Sequence, residues 1–257
     1  MTKLEEVFQD RKALIAFITA GDPDIETTEK IIRTMSDSGA DIIEIGIPFS
    51  DPIAEGVVIQ EADLRALQNG VTTEKVFEMI ASLRNDIQTP FVIMTYCNVI
   101  FGYGTQSFIS RCSEIGVNGL IVPDLPYEEK DEFEPFCKAS GVQLCSMAAP
   151  TSKERTAAIA ADAEGFLYLI TSGLTGEGNA KKTGIHEMVA YARSGSSVPC
   201  AVSCDYQENV SFRELSALAD GIILENAVVH LAAEYGKDSV SAIADYVSKV
   251  ADEIHRK

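Results

Sequence analysis

The chain has 257 residues, 46% of them hydrophobic, with 39 acidic against 21 basic side chains and a formal charge of −18. That is enough chain for one large domain or two small ones, with apolar material for a full core, while the acidic surplus argues against nucleic acid and anionic membrane as partners. No apolar run has bilayer-spanning length, the N-terminus "MTKLEEVFQDRK" lacks a signal-peptide core, and the six cysteines include no C-x-x-C pair, so a cytoplasmic protein without a metal site is expected.

In chain order, short β-branched runs read as strands at 14–19, 41–46, 91–96, 119–123, 142–147, 165–170, 199–203 and 220–224. Amphipathic helices are predicted between them at 24–39, 73–85, 105–115, 127–139, 152–161, 184–193 and 209–218, with 237–255 closing the chain. The last strand runs straight into a further helix in "DGIILENAVVHL" (220–231). Eight strands alternating with helices, and no Pro- or Ser-rich linker, predict a single (β/α)8 TIM barrel over residues 1–257. A doubly wound open sheet is the alternative, but no G-x-G-x-x-G follows the first strand.

In a barrel, the chemistry belongs to the loops at the carboxyl ends of the strands. Within "DIIEIGIPFSDPIAEG" (41–56), strand alternation puts Ile42, Glu44 and Gly46 on one face and Ile43, Ile45 and Ile47 on the other. Glu44 is therefore predicted inside, where burial raises a carboxyl pKa into the range of general acid–base work; a structural Glu bonded to Tyr or Thr is the bland reading. The loop beyond it, stiffened by Pro48 and Pro52, supplies Asp51 and Glu55, and Glu55 could pair with Glu44. Tyr96 and Asn98 follow the third strand and Asp124 the fourth; Tyr96 and Asp124 could instead simply satisfy each other. After the sixth, "YLITSGLTGEGNA" (168–180) is Gly-rich and polar, as a lid would be.

The motif "IEIGIPFSDPIAEG", with "TAGDP" (19–23), "PDLP" (123–126) and "GLTG" (173–176), resembles the tryptophan synthase α-subunit family over essentially the whole chain. The resemblance implies a lyase of tryptophan biosynthesis. It would cleave indole-3-glycerol phosphate to indole and glyceraldehyde 3-phosphate, passing indole to a β subunit. The α chain itself would carry no cofactor, pyridoxal phosphate (PLP) belonging to that β partner in an α2β2 assembly. By the same resemblance Glu44 is the proton shuttle, and Glu55 stands where the family usually has an Asp that bonds the indole N–H. Thr175 matches the lid threonine, Phe17, Tyr96, Asp124 and Tyr168 match pocket-lining positions, and Pro48 and Asp51 match the segment that signals to the β subunit.

The chain departs from the family at the phosphate site, which the resemblance and barrel topology place at Gly173, Gly176, Ser203, Asp205, Glu225 and Asn226. A "GFG"-like turn is replaced by Ser203-Cys204-Asp205, and a Gly-Ser pair by Glu225-Asn226. A phosphate dianion within ~4–6 Å of either new carboxylate meets like-charge repulsion. Alternatively, Asn226 caps the last short helix and Glu225 serves as that helix's own anion. Two other functions therefore stay open: a weakened subunit that mainly activates a β partner, and a lyase for an unphosphorylated analogue.

Overall fold

The computed structural model of the protein describes residues 4–171, 179–204 and 211–255, with the side chains of 179–183 outside that description. Its strands are β1 (Ala13–Thr19), β2 (Ile42–Gly46), β3 (Phe91–Met94), β4 (Gly119–Ile121), β5 (Gln143–Cys145), β6 (Met147–Ala148), β7 (Leu167–Leu169), β8 (Cys200–Cys204) and β9 (Gly221–Leu224). All pairs are parallel, in the order β5-β4-β3-β2-β1-β9-β8-β7-β6.

All eight predicted strands are present, but the fifth is split at Ser146. Its first piece pairs with β4 and its second with β7, so the broken strand is the stave at which the ring closes. The Ser146 carbonyl accepts the Tyr168 N–H at 2.9 Å, continuing the ladder across the break. The result is a TIM barrel wrapped in helices.

Strand alternation divides the core in two. Ile15, Phe17, Ile42, Val92, Ile121, Cys145, Tyr168, Ala201 and Ile223 point inward and fill the barrel. Leu14, Ala16, Ile18, Ile43, Ile45 and Ile93 point outward against the helices. Burying each large aliphatic side chain contributes roughly 1.5–3 kcal/mol, so strands buried on both faces carry much of the stability. Leu4 plugs the amino end; a Cβ on Gly119 would lie 2.7 Å from its Cδ1, so a larger residue there would have to shift the plug.

The helices follow local rules. In α1 (Ile25–Asp37), Asp24 caps the start by accepting the Thr27 N–H, and Thr27, Thr28, Ile31, Ile32 and Met35 form the buried face. The predicted 127–139 helix is a 3-10 turn (Tyr127–Glu132) followed by a short α-helix (Glu134–Ser140). Pro135 has no N–H to give a continuous helix and instead occupies its first turn. The closing helix, Ser239–His255, is likewise preceded by a 3-10 turn. Two helices were not anticipated: Val57–Gln68 after the second strand and Cys97–Tyr103 after the third. The first has a narrow buried stripe of Ile59, Ala62, Asp63 and Ala66, and its acidic member hides the amphipathic pattern. The helix after β9, Asn226–Tyr235, was expected, but its N-cap is Glu225 and not Asn226.

Candidate active site at the carboxyl ends of the strands

The interior face of β2 carries Glu44, in register with Phe17 of β1 and Val92 of β3. It is fully buried, and neither carboxylate oxygen has a hydrogen-bond partner. Burial pushes its pKa well above the ordinary carboxylate value, and the charges of Glu225 and Glu55 push the same way. A buried carboxyl with no donor to hold its anion favours its protonated form. Beyond it, a Cβ on Gly46 would come within 2.7 Å of the Phe17 ring, so glycine lets that ring close over the strand end.

Glu55 sits half-buried on the loop before helix Val57–Gln68. Burial raises its pKa to about 7, against the pull of the Ala54 and Glu55 backbone N–H groups, and Asp124 adds to the rise. The same loop is tied down by aromatic contacts. Phe49 stacks on Tyr96 with ring centroids 4.9 Å apart, and Tyr96 Oη accepts the Ala54 N–H at 3.3 Å. Tyr96 and Asp124 do not pair: Asp124 accepts the Cys97 N–H at 2.9 Å and so links the turns after β3 and β4.

A cavity of about 140 Å³ opens at this end, lined by Glu55, Met94, Met147, Tyr168, Ser203, Glu225 and others. No described residue lining it is basic. Tyr168, buried on β7, bonds its hydroxyl to the Glu225 carboxylate. Ser203 is engaged with Thr171, accepting its N–H at 3.1 Å on the side chain and its hydroxyl at 2.9 Å on the carbonyl. A larger recess, about 480 Å³, lies at the opposite end. There Lys12 is paired with Asp220, while Arg11 and His255 reach Asp41.

The structure thus brings Glu55, Tyr168, Ser203, Glu225 and Asn226 to one cavity. Phe17 and Glu44 lie in the sealed barrel interior, while Tyr96 and Asp124 brace the loops. Pro48 is buried; Asp51 is exposed and accepts the Ser50 hydroxyl at 2.6 Å, and Asn98 is exposed on its helix. The predicted Gly173, Thr175, Gly176 and Asp205 lie outside the described residues. Glu225 stands at the N-cap of its helix, where its side chain makes no capping bond and meets the Tyr168 hydroxyl.

Asp63 was missed altogether. It is buried on the inner stripe of Val57–Gln68, and burial, with Glu55 and Asp22 nearby, raises its pKa to about 7 despite a bond from the Phe49 backbone. The signal was present: in a helical reading of 57–68 its spacing from Ile59, Ala62 and Ala66 puts it on the apolar face. Close by, Asp22 is also buried but is held by both Nε and Nη2 of Arg65 at 2.8 Å.

Among the described residues no group of three or more His, Cys, Asp or Glu side chains could hold a metal ion, and no helix is long and apolar enough to cross a membrane. The six cysteines form no disulfide.

A family model described as "Tryptophan synthase alpha chain" matches residues 4–255. A tryptophan synthase alpha chain of Lacticaseibacillus casei is 39% identical over 251 residues, 97% of this chain and 94% of that one. One from Dehalococcoides mccartyi is 40% identical, covering 90% of this chain and 91% of its own. The solved tryptophan synthase subunit alpha of Legionella pneumophila superposes with a TM-score of 0.89 at 31% identity, covering 99% of this chain and 98% of its own.

Proposed function

The chain belongs to the tryptophan synthase alpha chain family, and we propose that its barrel cleaves indole-3-glycerol phosphate to indole and glyceraldehyde 3-phosphate. The observation that carries this reading is Glu44, a carboxyl buried in the barrel interior with both oxygens unpartnered and its pKa pushed well up by burial. Breaking the bond between the ring and the glycerol chain requires a proton on indole C3, which Glu44 can give. The ring nitrogen then carries positive charge, and Glu55, ionised above a pKa of about 7, accepts its N–H. The Glu44 carboxylate left behind takes the proton of the adjacent glycerol hydroxyl. The C–C bond electrons return to the ring, releasing neutral indole and the aldehyde, with Glu44 reprotonated for the next cycle.

Exposed apolar side chains support a partner at this end. Ile53, Val57, Leu64 and Phe101 lie on the loops and helices after β2 and β3, where single-chain packing leaves them in water. That patch suits a β subunit, with Pro48 and Asp51 on the adjoining loop as the signalling segment. The indole formed would pass to this partner, whose PLP joins it to serine.

The test is indole release by the purified chain, alone and with a cognate β subunit. Glu44→Gln should lower turnover by at least ~10²-fold with KM little changed. If the wild type releases no indole above buffer under either condition, the lyase reading is wrong. If no complex sediments in analytical ultracentrifugation, the partner reading falls.

A further inference from the structure

Glu55 lies on a loop, yet the reaction needs its carboxylate at one place on the cavity wall. The helix that follows supplies part of the hold. Gln60, in the first turn of Val57–Gln68, donates its side-chain N–H to the Glu55 carbonyl at 2.8 Å. The Gly56 carbonyl accepts the Ile59 and Gln60 N–H groups at 3.2 and 3.1 Å. The backbone of Glu55 is thereby fastened to this helix, and a shift of the helix carries the acid with it.

Apolar packing fixes that helix only weakly. Its buried stripe of Ile59, Ala62, Asp63 and Ala66 contains one large aliphatic side chain and one acid, which leaves rotation about the axis poorly locked. Polar contacts further along supply the lock. Arg65 donates from Nε and Nη2 to the two oxygens of Asp22, both at 2.8 Å, and Asn69 Nδ2 donates to the Pro23 carbonyl at 2.7 Å. The anchor is itself held: Asp22 is fully buried in the turn after β1, and its N–H reaches the Thr19 carbonyl at 3.3 Å. The neighbouring Gly21 N–H reaches the Thr28 hydroxyl of α1 at 3.0 Å. A forked guanidinium–carboxylate pair sets direction as well as distance, because two parallel bonds share one plane. It is a poor source of stability, since desolvating the charges offsets much of their attraction.

We propose that Arg65 is a positioning residue for the lyase reaction: by gripping the buried Asp22 it fixes the rotation of helix Val57–Gln68 and so holds Glu55 at the cavity. The proposal rests on Glu55 being the group that accepts the indole N–H. Arg65 touches no reacting atom and acts only through the helix.

The experiment uses the intact chain and reads Glu55 with and without turnover. Asp22→Asn/Arg65→Gln removes both charges together, so no buried carboxylate is left unpaired. Its urea midpoint should stay close to that of the wild type, while kcat for indole release falls at least ~10-fold with KM little changed. Arg65→Lys, which keeps the charge but not the fork, should fall between the two. In ¹³C NMR of the labelled Glu carboxyls, the signal lost in Glu55→Gln identifies Glu55, which in the wild type should titrate at about 7. The groups facing it are Asp63 from the same helix, Asp124 from the turn after β4, Glu44 from β2 and Tyr168 from β7. None of these is cationic, and burial is the main cause of the raised value, so a loosened helix that admits water should move the titration down towards the ordinary 4.5. The acid limb of kcat/KM should move with it.

A Glu55 titration that stays at about 7 in both variants overturns the proposal, as does a lowered titration with kcat unchanged. A wild-type Glu55 that already titrates near its ordinary value overturns it too. If the doubly substituted chain does not fold, Arg65→Lys decides by the same two readings. The positioning and lyase readings fail separately. A wild type that releases no indole, with a Glu55 titration that depends on Arg65, sinks the lyase reading and leaves the helix clamp standing. Indole release with an unmoved titration does the reverse.

Discussion

Asp41 and Glu44 are three residues apart in sequence, yet they belong to opposite ends of the barrel and to opposite electrostatic regimes. Asp41, just before β2, is surrounded by donors: Arg11 Nε at 3.0 Å and Nη2 at 2.5 Å, His255 Nε2 at 2.8 Å and the Leu14 N–H at 2.8 Å. Other acids at that end are treated alike. Glu5 receives Gln143 and the Gly165 N–H, and Asp220 receives Lys12, Arg193 and the Cys200 N–H. At the carboxyl end Glu44, Glu55 and Asp63 are all raised by burial, and their charged neighbours are mostly other acids. Asp22, locked to Arg65, shows that this end can neutralise a carboxylate where the fold needs one. The comparison teaches that burial alone does not mark a working acid. The mark is burial in which the available donors have been withheld, at a cost in stability that a purely structural site would avoid.

The strongest way to break the comparison is at the paired end. Asp41→Ala strands the Leu14 N–H and removes the partner of Arg11 and His255. It should cost about 3 kcal/mol in urea unfolding while leaving the pH limbs of indole release in place. A variant that keeps full stability but loses activity would mean that Asp41 had been assigned to the wrong regime.

Glu55 sharpens the other side. On the proposed reading Glu55 must be ionised to accept the indole N–H, so kcat/KM should rise with pH through about 7 on its acid limb. Glu55→Gln should lower kcat/KM by about 10²-fold and abolish that limb. Persistence of a limb near pH 7 in the variant would assign it to another group.

Asp63 gives the smallest effect and the cleanest sign. Its folded pKa, about 7, lies above the ordinary 3.8, so between those values the folded state holds a proton that the unfolded chain has released. Stability from this group is therefore present below about pH 4 and is lost as pH rises towards 7 and beyond. Asp63→Asn keeps an acceptor for the Phe49 N–H and removes the charge. Chemical denaturation should show it more stable than wild type by on the order of 2 kcal/mol at pH 8, with no gain near pH 4. A gain of equal size at both pH values would show that the effect is packing and not charge.

The sequence alone determined the strand alternation, and with it the fold class and the inward direction of Glu44, because a period of two leaves no other face for it once both sides of a strand are apolar. The "IEIGIPFSDPIAEG" motif was equally legible, since it is contiguous. What only the tertiary structure decided depends on residues far apart in the chain. The split at Ser146 serves closure of a ring, and a ring is not a local property. Tyr96 and Asp124 could have satisfied each other by composition, but the fold spends them on the Ala54 and Cys97 backbone N–H groups. Asp63 lies in a stretch for which no element was predicted, and only the helix Val57–Gln68 places it against Phe49 and Glu55. Glu225, 57 residues from Tyr168, reads in the sequence as an anion at a helix terminus or an obstacle to phosphate. Only the meeting of their two strand ends in the barrel mouth brought its side chain to that hydroxyl, because local propensity can offer a carboxylate a helix terminus but cannot show it a buried hydroxyl across the barrel.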